Sequence, residues 1–230
     1  MEINDNLIIF LSELRKSIRL LGLSIILGTV GLYFISPIIL QFLQAHLDQQ
    51  LAFFTVAEPF LAHVKLSFFV TLFVLMPGIM YCLWMALGKP FKLTETTLTW
   101  FVIFTTILFY LGAAFCYTIT LTYGVKFLLG FQSAKLKPVI SINKFVNFVS
   151  IFILAFGVIF ELPIFMVFTA KVGLISREVF AKNRKYAVLV ISILAAVLTP
   201  TPDVFNMMLM GGPLYLLYEA GILVLRMMKI

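Results

Sequence analysis

The chain has 230 residues, 62% of them apolar and 12% charged, with a mean hydropathy of +1.10. That leaves too little polar surface to coat a water-soluble globule of 26 kDa, so the composition is that of an integral membrane protein. Its net charge of +7 comes from 17 basic residues spread over short connectors, which fits orientation in a membrane and argues against nucleic-acid binding.

Met1 to Asn6 are acidic and polar, and no small-residue cleavage site ends the first apolar run, so that run is expected to stay as a span. Just before it, Leu7, Ile8, Phe10, Leu11, Leu14 and Ile18 share one helical face, while Ser12, Glu13, Arg15, Lys16 and Arg19 lie largely elsewhere. This pattern predicts an interfacial N-terminal helix. Glu13 has two readings, a solvated residue pairing with Lys16 three positions on, or a carboxylate kept for a ligand. The first span is expected from about Leu20 to Leu40, with Pro37 near its end. From Gln41 to Ala62 there is no Lys or Arg, yet Phe42, Leu43, Leu47, Leu51 and Phe54 fall at helical spacing. This stretch is expected to form a cap on the outer membrane surface. His46 and His63 have no cysteine or carboxylate at metal-ligand spacing and read as interfacial polar residues.

The second span is expected from about Leu66 to Leu87 and contains Pro77. Glu95 is the one acid in the connector that follows, Gly88 to Glu95, and either favours the positive start of the third helix or serves binding. The third span runs from about Leu98 to Leu121. Cys82 and Cys116 lie inside apolar segments, where a thiol behaves as a small hydrophobe, and imply no disulfide framework. In the fourth run, Phe145 to Ala170, Glu161 interrupts a sequence otherwise long enough to cross a bilayer. An ionised carboxylate there costs about 2.5–3.5 kcal/mol on insertion scales, so it must face protein, water or a partner, or be a protonated acid hydrogen-bonded between helices. Phe160 precedes it, and Pro163 removes a backbone donor two residues later, which predicts a kink.

The fifth run, about Tyr186 to Leu198, and the sixth, about Met207 to Leu225, are short for a bilayer and are joined by the tight Thr199-Pro200-Thr201-Pro202-Asp203 turn. Asp203 either caps the sixth helix or serves function. Prolines at 37, 77, 163 and 213 predict bent helices around a concave, cupped surface. The expected fold is therefore an all-α integral membrane protein, one domain over 1–230, with six transmembrane helices, an interfacial N-terminal helix and an outer-face cap. Twelve of the 17 basic residues fall on the side of the amino terminus and five on the other, which places both termini in the cytoplasm. No phosphate loop, nucleophile elbow or zinc motif occurs, so neither an enzyme, a cofactor nor a metal site is expected.

Several short motifs, in this order and spacing, resemble TatC, the polytopic receptor subunit of the twin-arginine protein translocase. They are Leu11-Ser12-Glu13-Leu14-Arg15; Glu58-Pro59-Phe60 with Lys65-Leu66; Pro77 and Tyr81; Phe156-Gly157; Phe160-Glu161-Leu162-Pro163; Thr199-Pro200 with Pro202-Asp203; and Pro213, Leu217 and Tyr218-Glu219. The resemblance implies a receptor that binds paired-arginine signal peptides of folded cargo and recruits single-span TatA-like and TatB-like subunits. It also implies transport driven by the proton-motive force and self-association in a receptor complex. Glu13 and Glu95, with Arg15, would be the signal-binding residues, Phe160, Glu161 and Pro163 the intramembrane partner site, and Pro59, Phe60 and Asp203 functional outer-loop positions. A bacterial cytoplasmic membrane is the implied location, an organellar or thylakoid membrane the other. The chain departs from the family pattern at Phe10, where a histidine is usual, at Ala86, at the offset Pro90, and at Thr96-Thr97, where an arginine-rich stretch is usual. These departures bear on the shape of the arginine pocket. The alternative from another class is a six-helix secondary transporter with Glu161 as its ion-coupling carboxylate.

Overall fold

The computed structural model describes residues 2–47, 51–129, 140–198 and 204–228, which are almost wholly helical. They form two compact units. The first comprises Met1–Thr106 and Leu121–Leu154, the second Ile107–Thr120 and Ala155–Ile230.

In the first unit, α1 (Glu2–Tyr33) runs for 32 residues, so the amphipathic N-terminal segment and the first span are one continuous helix. Nothing between Arg19 and Tyr33 forces a break. The chain first turns at Phe34-Ile35, where α1 and α2 (Ser36–Leu47) meet at 71°. Pro37 has no N–H to give the Tyr33 carbonyl, and the fully buried Ser36 supplies a substitute donor, its hydroxyl reaching that carbonyl at 2.7 Å. Because the hydroxyl proton is committed there, Nδ1–H of His63 is the donor in the 3.0 Å contact between that ring and Ser36 Oγ. His63 is thus more than a surface residue: it ties the bend to the next helix.

That helix, α3 (Glu58–Val74), lies against α1, and Gly28 makes the approach possible, since a Cβ there would sit 2.6 Å from Thr71 Cγ2. At Leu75 the chain bends by 56° into α4 (Met76–Gly88), because Pro77 leaves the Phe73 carbonyl without its helical donor. α5 (Glu95–Phe115) begins in this unit, where the indole of Trp84 stacks on Phe101 and donates to Thr105 Oγ1 at 3.1 Å. A five-residue π-helical segment, Cys116–Thr120, separates α5 from α6 (Leu121–Leu129). The expected cap contains α2 and a short parallel pairing of β1 (Leu51–Ala52) with β2 (Ile140–Ser141), which leads directly into α7 (Ile142–Ile159).

The second unit holds the end of α5, the end of α7, α8 (Leu162–Lys171), α9 (Arg177–Lys182), α10 (Arg184–Leu198) and α11 (Val204–Met227). Phe109, Phe156, Met210, Leu214 and Leu225 are fully buried in it. Two glycines bring backbones together. A Cβ on Gly157 would lie 2.5 Å from Phe109, and one on Gly112 would lie 2.6 Å from the Phe160 ring and 2.8 Å from the Phe156 carbonyl oxygen.

Among the described residues, Glu95–Val125, Ile142–Lys171 and Met207–Met227 are long and apolar enough to cross a bilayer, and each of the two bent pairs qualifies as a broken span. The fifth expected span is the short α10, whose 15 residues rise about 22 Å against a hydrocarbon core of about 30 Å. The sixth, α11, extends beyond its apolar run at both ends to 24 residues, because neither Val204-Phe205-Asn206 nor Arg226 breaks a helix.

Candidate functional site

Glu95 is the first residue of α5 and is exposed. The preceding connector is tightly folded: the N–H groups of Phe91 and Leu93 both donate to the Gly88 carbonyl, and Lys92 takes a left-handed backbone at φ 53°. Close packing holds α4 and α5 together just beyond it, since a Cβ on Gly88 would overlap Leu98. Ala86, the departure from the family's aromatic, is buried beside this contact. Glu95 borders a small pocket of about 110 Å³ lined also by Tyr81, Met85, Leu98, Thr99 and Val102. Among the described residues no side chain pairs with its carboxylate, although the Thr94 and Thr97 hydroxyls bond each other at 2.9 Å. An exposed carboxylate with no side-chain partner among the described residues, beside a small pocket of mixed lining, is available to a cationic hydrogen-bond donor. Glu13 and Arg15 lie within α1, and their side chains fall outside the described residues.

At the opposite end of this unit, Glu58 opens α3 ahead of the apolar run that starts near Leu66, and Pro59 follows it where a missing N–H costs nothing. Its carboxylate accepts the Phe54 N–H at 2.6 Å and the hydroxyl of Ser141 on β2. These two hydrogen bonds hold its pKa below the ordinary glutamate range. Lys65 Nζ donates to Asn143 Oδ1 at 2.9 Å, a second link from α3 to the start of α7. Phe60 is 57% exposed and packs edge-on to Tyr33, 6.1 Å between centroids. Asp203 lies outside the described residues.

Glu161 sits in the break between α7 and α8. Pro163 leaves the Ile159 carbonyl without its helical donor, and the backbone carbonyl of Glu161 starts the new helix by accepting from Ile164 and Phe165. Phe160 and Pro163 are buried, while Glu161 is partly so. Its Oε1 is shielded from solvent and has no hydrogen-bond partner among the described residues. A shielded carboxylate oxygen without a donor is unstable on its own and favours a polar partner.

A second carboxylate within a span had no role beyond the resemblance in the sequence reading. Glu219 on α11 accepts both Nε and Nη2 of Arg184, at 2.6 and 3.0 Å, and the Tyr215 hydroxyl at 3.0 Å. Its position eight residues before the end of a long apolar helix was the available signal.

A protein-family model, described as the Sec-independent protein translocase protein TatC, matches residues 9–213. The chain belongs to the TatC family. A TatC from Carboxydothermus hydrogenoformans is 35% identical over 224 residues, 95% of this chain and 92% of its own length. One from Helicobacter pylori strain 26695 is 34% identical over 220 residues, 95% and 87% of the two chains. A crystal structure of the twin arginine translocase receptor TatC in DDM superposes with a TM-score of 0.82 at 28% identity, covering 94% of this chain and 98% of that one. A second crystal structure of that receptor gives 0.81 at the same identity. TatC proteins are six-helix membrane proteins of the Sec-independent translocase, and the solute-transporter reading is not favoured.

Proposed function

We propose that this chain is the receptor of a twin-arginine translocase, with Glu13 and Glu95 taking the two signal arginines and Arg15 beside Glu13 completing the signal-binding surface. The observation that carries this reading is the exposed Glu95 carboxylate, unpaired among the described residues and next to a small pocket of mixed polar and apolar lining. A guanidinium presents two parallel donors to a carboxylate, whereas a lysine ammonium is a point charge, so paired arginines are favoured over paired lysines. Glu161, with the Phe160-Pro163 break around it, receives a polar group on the membrane helix of a TatA-like or TatB-like partner, and Pro59, Phe60 and Asp203 act on the outer face. The whole chain works as one membrane domain of the bacterial cytoplasmic membrane with both termini inside, self-associates in the receptor complex, and moves folded cargo at the expense of the proton-motive force. It carries out no chemical step of its own.

The test uses inside-out vesicles containing this chain and its single-span partners, supplied with a folded cargo bearing a paired-arginine signal. Glu13→Gln with Glu95→Gln abolishes signal binding, at about 1.5–3 kcal/mol for each lost charged hydrogen bond. Glu161→Gln keeps signal binding and loses partner co-purification. Undiminished binding in the double variant refutes the site, and small-solute flux that depends on Glu161 refutes the receptor reading.

A further inference from the structure

The polar cluster at the start of α10 has no part in the reading above. Arg184 is the first residue of α10, and its guanidinium meets both oxygens of Glu219 on α11. The Tyr215 hydroxyl, one turn earlier on α11, donates to Glu219 Oε1 and fixes that carboxylate's orientation. Tyr218, next to Glu219, donates to the Phe180 carbonyl at 2.8 Å and ties α9 to the same helix. Away from this end the α10–α11 contact is apolar. Ile191 and Ala195 face Gly211, where an added Cβ would meet Ile191 Cγ2 at 3.7 Å and Ala195 Cβ at 4.0 Å, ordinary contact distances. An apolar cavity of about 610 Å³ opens between the helices, lined by these residues with Ser192, Met207 and Met208 among others.

Burying apolar surface does not by itself drive membrane helices together, because lipid tails are as apolar as the side chains, so hydrogen bonds between helices add to packing in fixing how they meet. Ile191 and Ala195 pack against α11 part-way along α10, while at the start of α10 the polar cluster makes the contact. We propose that Arg184 is a positioning residue for transport: its forked pair with Glu219 clasps the start of α10 to α11 and sets the register and spacing of the two helices around their shared cavity. The fork matters because two parallel hydrogen bonds fix orientation as well as distance, which a single ammonium contact does not.

Spin labels at Val190 on α10 and Leu216 on α11, both exposed, report the spacing by pulsed electron resonance in nanodiscs, in a chain with Cys82 and Cys116 replaced by Ala. The parent gives one narrow distance distribution. R184Q raises the population outside that peak by about five-fold, the upper end for a half-exposed pair with ideal geometry. R184K raises it too, and the exchanged pair R184E/E219R restores both the narrow peak and cargo export. Tyr215→Phe keeps the ion pair and broadens the peak less than R184Q. An unchanged distribution in R184Q overturns the proposal, as does an exchanged pair as broad as R184Q. The distance readout needs no signal peptide, so its failure is distinguishable from failure of the receptor reading.

Discussion

Gly112→Ala provides the sharpest test of how the second unit is built. The new Cβ would lie 2.6 Å from Phe160 Cγ, 2.7 Å from Phe160 Cβ and 2.8 Å from the Phe156 carbonyl oxygen. Ordinary contact begins near 3.4 Å, so the helices must separate by about 0.6–0.8 Å. Neither obstacle is the free end of a flexible chain: one is backbone and the other a buried ring at its root. Separation strips contacts from Phe156 and Phe160, both nearly fully buried. Overpacking of this kind costs about 1–3 kcal/mol, and a backbone obstacle puts it at about 3. Alanine's better helix propensity returns about 1 kcal/mol, leaving a net loss of about 2. Gly31→Ala is the control, because a Cβ there meets nothing within 4 Å. Thermal unfolding in detergent should show Gly112→Ala lower in Tm than the parent by about 4–8 °C, with Gly31→Ala unchanged or higher. Equal Tm values for the two variants would refute the claim that these helices meet through glycine.

Ser36→Ala leaves the Tyr33 carbonyl without its substitute donor at a buried bend, a loss of about 1–3 kcal/mol that should appear as a lower Tm in the same assay. Glu58 titrates below the ordinary glutamate range in the folded chain, so the stability from its hydrogen bonds is full above that range and is lost as pH falls through the folded value. Limited proteolysis of the segment around β1 and β2 should accelerate on acidification, and Glu58→Gln should remove that pH dependence. Pro163→Ala restores an N–H to the Ile159 carbonyl, straightens the α7–α8 break and should weaken partner co-purification while leaving signal-peptide binding intact.

The bends were legible because proline acts locally. Pro37, Pro77 and Pro163 each remove one identifiable hydrogen bond: the chain bends sharply before the first two and interrupts its helix at Phe160-Glu161 before the third, whereas Pro213, also expected to bend its span, lies inside the continuous α11. What compensates for the lost donor was not legible. Ser36 can be guessed from its place beside Pro37, but its contact with His63 joins residues 27 apart, and nothing local marks the pair. The same holds for Glu58 with Ser141, 83 residues away, and for the two-residue strands that bring them together. The N-terminal amphipathic segment and the first span read as two pieces because their composition changes at Arg19, yet a helix ends where its backbone bonding fails, and here that is Tyr33. Glu161 stood out as a lone charge in an apolar run. Glu219 did not, because it falls among aromatic residues near a helix end, and its partner Arg184 lies 35 positions earlier.

Photo-crosslinking of a paired-arginine signal peptide to this chain in native-like membranes, against the same peptide with paired lysines, tests the receptor account most directly. The account predicts strong labelling near Glu13 and Glu95 with the arginine peptide and little with the lysine peptide. Equal labelling by both, or none from well-folded protein with its partners present, would contradict it.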